Sequence, residues 1–159
     1  MTNAGIGSAE SIHGWSQLYL GLPLWAERIR EAVRGSNRDR DELEFYLCFF
    51  VQCHSLRDWM IHNNAASKSV IQDAVAGDEA MKICRDICNR FKHLNIGNPS
   101  VDARWSIRRS FLPPDNYELV VVANGDVHAL WSLMMRCLEF WKVLVAAYDL
   151  ETSEEWYLR

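Results

Sequence analysis

The chain has 159 residues, 49% of them apolar and 24% charged. That is a globular composition, which excludes intrinsic disorder and can bury a core without disulfides or metals. The net charge of -4 rules out a polycation overall, and no apolar run is long enough to span a membrane.

One domain is expected over residues 1–159, with a core from about 10 to 150 and an acidic tail after Asp149. The start is small and polar and lacks the basic-then-apolar pattern of a secretory leader. Trp15, Leu18, Tyr19 and Leu22 recur at helical spacing. Gly21 and Pro23 predict a break, with Pro23 in the first turn of a new helix. Trp25, Ile29 and Val33 continue it, and Gly35 ends it. Asp39, Asp41 and Glu42 suit the positive end of a second helix, which runs to about His62 and is apolar over more than one face. Such a helix belongs in the middle of a bundle. A short helix over Lys68–Val75 follows, then a third long helix, capped by Asp78, to about Leu94.

The period then changes from helical to two. Trp105, Ile107, Arg109 and Phe111 alternate with Arg104, Ser106, Arg108 and Ser110, which predicts a strand. Pro113 to Asn116 turns it into a Val-rich partner strand ending at Ala123. Asn124-Gly125-Asp126 is read as a turn into the last helix, with Asp126 as its N-cap. Leu130, Trp131, Met134, Cys137, Leu138 and Trp141 fit that helix's core stripe. The expected fold is therefore mainly α: a bundle of four to five helices with one β-hairpin inserted before the last helix.

Several polar residues fall near apolar stripes. His54 and Asp58 lie one turn apart on the second helix, in the sector shared with Leu43, Leu47 and Phe50. Asp86, Asn89 and His93 share a stripe on the third, with Arg90 on the same side and Lys92 on a flank. Buried charges need partners, so this set is either a structural network or a site at the bundle's end. His54, Asp58, His62, Asp86 and His93 are metal-ligating types, yet the paired-Glu and Glu-x-x-His pattern of dinuclear bundles is absent, and Asp and Asn are short. No metal and no cofactor are expected. The five cysteines, Cys48, Cys53, Cys84, Cys88 and Cys137, all fall in apolar helical patterns and read as buried, reduced thiols in a cytoplasmic protein.

The run His54-Ser55-Leu56-Arg57-Asp58-Trp59, followed by Asp86-Ile87-Cys88-Asn89-Arg90-Phe91-Lys92-His93, resembles a group of uncharacterised bacterial HEPN-like helical proteins. The resemblance covers most of residues 40–148. It implies nucleotide or RNA binding and, as in active members of the HEPN superfamily, metal-independent RNA cleavage in a defence or toxin–antitoxin setting. Arg57 to His62 fits the Arg-x4-His spacing of those members. By that resemblance Arg57 would stabilise the phosphorane charge, and His62 or His93 would move protons. On a continuous helix Arg57 and His62 diverge by roughly 140°, so they meet only through a distorted helix or between two copies.

Charge is unevenly spread. Residues 82–109 hold seven basic and two acidic residues, net +5, which leaves -9 for the remainder. Arg90, Arg104, Arg108 and Arg109 are the expected phosphate contacts, since Arg both pairs with phosphate and stacks on bases. The expected partners are RNA or a nucleotide and a second copy of the chain, but no membrane. Leu133, Met135, Phe140 and Val143, off the last helix's core stripe, are the expected dimer surface. The alternative is a non-catalytic oligomeric interaction module whose polar cluster is structural.

Overall fold

The computed structural model describes residues 14–92 and 106–150. Among them are five helices, α1 (Trp15–Arg34), α2 (Arg38–His62), α3 (Lys68–Gly77), α4 (Glu79–Lys92) and α5 (Leu130–Ala147). A three-stranded antiparallel sheet, β1 (Ser106–Leu112), β2 (Asn116–Ala123) and β3 (Asp126–Ala129), precedes α5, with β2 in the middle. The fold is thus mainly helical, with the hairpin before the last helix. Among the described residues no helix is long and apolar enough to cross a membrane.

The expected break in α1 does not occur. Pro23 lies inside a continuous helix, on its exposed side. Pro23 has no N–H to offer the carbonyl one turn earlier, so the helix forgoes one internal hydrogen bond there. Buried Leu22, Ala26 and Ile29 hold both halves in one line against α2. Helix α2 touches α1, α3, α4 and α5, which explains its broad apolar surface. It ends where Asn64 takes a positive φ of 53° and Ala65 N–H donates to the Met60 carbonyl. Two side-chain caps set the next starts: Ser67 Oγ accepts from Val70 N–H, and Asp78 Oδ1 from Met81 N–H at 2.9 Å.

The reading of Asn124-Gly125-Asp126 as a lead into the last helix is corrected. Ala123 pairs with Asp126 across a two-residue turn in which Asn124 and Gly125 both have positive φ, 54° and 83°. That is the hairpin turn matched to strand twist, and Asn-Gly is its preferred sequence. Asp126 opens β3 and caps nothing; Ala129 stands at the N-cap of α5 with no side-chain bond.

The core runs through the centre of the bundle. Phe49, Phe50, Cys53, Leu56 and Met60 of α2 meet Met81, Cys84 and Ile87 of α4 and Met134, Cys137 and Trp141 of α5. Val121 and Ala123 bring β2 onto the same core. Trp141 is fully buried; Trp25 and Trp131 are only half-buried, and each carries a guanidinium, of Arg28 at 4.5 Å and Arg30 at 5.0 Å. On α5, Leu133 is core at 1% exposure and leaves the expected dimer surface, whereas Met135 and Val143 are exposed.

Candidate functional site

The residues expected to act together are distributed over the molecule. Arg57 pairs with the neighbouring Asp58 carboxylate, Nη2 to Oδ1 at 2.8 Å. His62 is exposed in the last turn of α2, and α2 is unbroken between them. Five residues of regular helix place the two side chains about 140° apart, so one chain does not bring them together. Arg57 instead shares a depression of about 200 Å³ with Lys82 and Arg85. His93 and Arg104 lie outside the described residues.

The polar cluster divides. His54 on α2 and Asp86 on α4 are buried, at 8% and 1% exposure, between two helices that pack together. Asn89 is half-buried, Arg90 is exposed, and Lys92 closes α4. Asp58 is corrected: its side chain is 62% exposed. The core direction of α2 follows Cys53, Leu56 and Met60, and Asp58, about 200° from either Leu56 or Met60, faces away.

Charged and aromatic groups converge at the corner where α1 ends, α2 begins and the sheet closes. A cleft of about 350 Å³ lies there, lined by Arg30 and Arg34 of α1, Arg38, Glu42 and Tyr46 of α2, Asn116, Tyr117 and Glu118 of β2, and Trp131 of α5. Glu42 is only 3% exposed. A buried carboxylate needs a partner, and Arg38 supplies one, Nε to Oε2 at 2.6 Å. The other Arg38 nitrogens donate to Asn116 Oδ1 at 2.7 Å and to the Tyr117 carbonyl at 2.5 Å. That guanidinium therefore fastens the start of α2 to the start of β2.

Tyr117 is the second pivot. Arg38 and Arg109 lie against its ring at 4.0 and 5.0 Å. Arg109 and Tyr117 are diagonal neighbours on one sheet face, since Arg109 pairs with Leu119 and Phe111 with Tyr117. The Tyr117 hydroxyl donates to Asp39 Oδ1 at 2.8 Å, and Arg109 pairs with the same oxygen at 3.1 Å. Burial, then the bond to Asp39, pushes the Tyr117 phenol above its ordinary value. A contiguous depression of about 190 Å³ carries Arg108 and Arg109.

The cation count exceeds the local acids. Together the two hollows hold Arg30, Arg34, Arg38, Arg108 and Arg109 against Asp39, Glu42 and Glu118. Arg38 and Arg109 are committed to Glu42 and Asp39. Among the described residues, Arg30, Arg34 and Arg108 make no ion pair: Arg30 rests on the Trp131 ring, and Arg108 donates to Ser106 Oγ at 2.8 Å. Charged donors beside aromatic faces can hold a phosphate and a flat ring together. Among the described residues, no Ser, Cys or His lines the cleft.

Sequence reading found Arg108 and Arg109 from the alternating strand but missed Arg30, Arg34, Glu42 and Trp131. The one local signal was Arg30 and Arg34, a turn apart just before Gly35. No family model, curated protein or solved structure matches the chain.

Proposed function

We propose that this protein binds RNA or a nucleotide at the arginine-lined cleft between α1, α2 and the sheet. The observation that carries this reading is a ring-lined hollow with two guanidinium groups, Arg30 and Arg34, and a third, Arg108, in the adjoining depression, none of them engaged by acids among the described residues. Arg30 and Arg34 hold phosphate oxygens, a base packs against Trp131, and Arg108 and Arg109 continue the track across β1. A volume of about 350 Å³ suits one nucleotide, being near the small end of ligand pockets at about 300–1,000 Å³. The likeness of the Arg57–Asp58–Trp59 and Asp86–His93 segments to HEPN-like proteins points the same way. The free state of all five cysteines agrees with a reducing compartment, the cytoplasm.

Cleavage of the bound strand is a further part of the proposal. It would use His62 or His93 for proton transfer and Arg57 for the phosphorane charge. Because α2 separates Arg57 from His62, such a site pairs Arg57 of one copy with His62 of another. A second reading, a non-catalytic oligomeric module, is favoured by the exposed apolar side chains Met135 and Val143 on α5.

Calorimetry with a mononucleotide tests the binding claim. Arg34→Ala is expected to weaken binding about tenfold, the worth of one charge-assisted hydrogen bond. Equal affinity in the variant would remove the cleft from the account. Labelled RNA incubated with EDTA tests cleavage: activity lost in His62→Ala or His93→Ala supports the enzyme, and undiminished activity in both ends that mechanism.

A further inference from the structure

Three cysteines far apart in the chain meet at the centre of the bundle. Cys53 of α2, Cys84 of α4 and Cys137 of α5 place their sulfurs within 4.8 Å of one another, and all three are fully enclosed. The Trp141 indole N–H donates to Cys53 Sγ at 3.3 Å. Cys84 and Cys137 lie within reach of the Phe50 and Ala80 carbonyls, at 3.5 and 3.7 Å. Burial pushes the Cys53 thiol up, but bonds from Cys137, Cys84 and Trp141 outweigh burial and hold it well below the ordinary thiol value. Cys84 is raised, by burial foremost, and Cys137 is raised, by its bond to Cys53 foremost.

We infer that Cys53, Cys84 and Cys137 form a buried site for a soft monovalent cation, copper(I), held by three sulfurs. Thiolate sulfurs select soft ions over hard ones. Metal–sulfur bonds of about 2.3 Å, set trigonally, need sulfurs about 4 Å apart, so a small inward rotation of the side chains closes the site. Structural zinc takes four ligands, and catalytic zinc takes three with a water. Among the described residues no fourth His, Cys, Asp or Glu joins the cluster, and the enclosed sulfurs leave no solvent position. Each sulfur ligates as a thiolate, so loading the ion releases the thiol protons to solvent. A bound ion would tie α2, α4 and α5 together.

The test is anaerobic titration of the full chain with copper(I) against a chromogenic copper(I) chelator, with X-ray absorption on the loaded protein. The expected result is one ion withheld per chain and a shell of sulfur only. Changes outside the ligands alone cost about 10–100-fold in metal affinity, so Cys53→Ser and Cys137→Ala should lose more than that. Cys48→Ser and Cys88→Ala, outside the trio, should retain the ion. Circular dichroism checks that each variant folds; if the trio variants unfold, the wild-type absorption spectrum decides alone. Surrender of all copper to the chelator, nitrogen or oxygen in the shell, retention by a folded Cys53→Ser, or tighter binding of zinc with a light fourth ligand each overturns the assignment.

Discussion

At the scale of single residues, the Arg38–Glu42 pair shows how burial turns an ordinary ion pair into a structural requirement. Glu42 Oε2 is enclosed and the Arg38 side chain is 19% exposed. Arg38→Ala leaves the carboxylate buried without its partner. A fully buried pair broken this way costs about 3–5 kcal/mol, and the partial exposure of Arg38 lowers the expectation to about 2–3 kcal/mol. Urea denaturation should show this loss, and Glu42→Gln added to Arg38→Ala should recover part of it. Tyr46, beside Glu42, gives a pH signature. Burial foremost, then the Glu42 charge, pushes its phenol well above the ordinary value of about 10. The folded chain keeps a proton that the unfolded chain loses. The Tyr46 contribution is therefore complete below pH of about 10 and is lost as pH rises toward the folded value, by at most about 1.4 kcal/mol per pH unit. Tyr46→Phe should flatten the alkaline fall in stability measured by denaturation; an unchanged slope would contradict this placement of the phenol.

At the scale of elements, what the sequence hides is explained by competition between local signals. The alternation over 106–111 and the cap at Asp78 were legible because each depends on a few adjacent residues. Pro23 misled because a helix break is a local preference, whereas the packing of Leu22, Ala26 and Ile29 on α2 is tertiary. The third strand was hidden differently. Val127, Leu130, Trp131 and Met134 satisfy helical spacing, but Val127 is 64% exposed in a strand of four residues. The Asn124-Gly125 turn chemistry outweighs that spacing. Gly125→Ala isolates the effect, because a Cβ there meets nothing within 4 Å while φ stays at 83°. The expected loss is about 1 kcal/mol, all of it backbone strain, measured by chemical denaturation. A neutral result would mean the turn does not hold the register.

At the scale of the whole molecule, a net charge of -4 conceals the sites that matter. Arg30 and Arg34 precede the second helix, Tyr117 lies on the sheet and Trp131 on the last helix; only the packing of α1, α2, β2 and α5 makes them neighbours. The three thiols are hidden for the same reason, since each helix alone shows an ordinary apolar cysteine. Sequence reading reaches faces of elements, and sites assembled from several elements lie beyond it. The central claim is that the unpaired guanidinium groups of this corner bind the phosphates of RNA. It is tested most directly by the salt dependence of binding of a labelled single-stranded RNA, with EDTA present, measured by fluorescence anisotropy. Each phosphate neutralised on a single strand contributes about -0.7 to the slope of log K against log salt. Contacts from Arg30, Arg34 and Arg108 predict a slope of about -2, reduced by about 0.7 in Arg34→Ala and again in Arg108→Ala. Absence of binding, or slopes unchanged in both variants, would contradict the account.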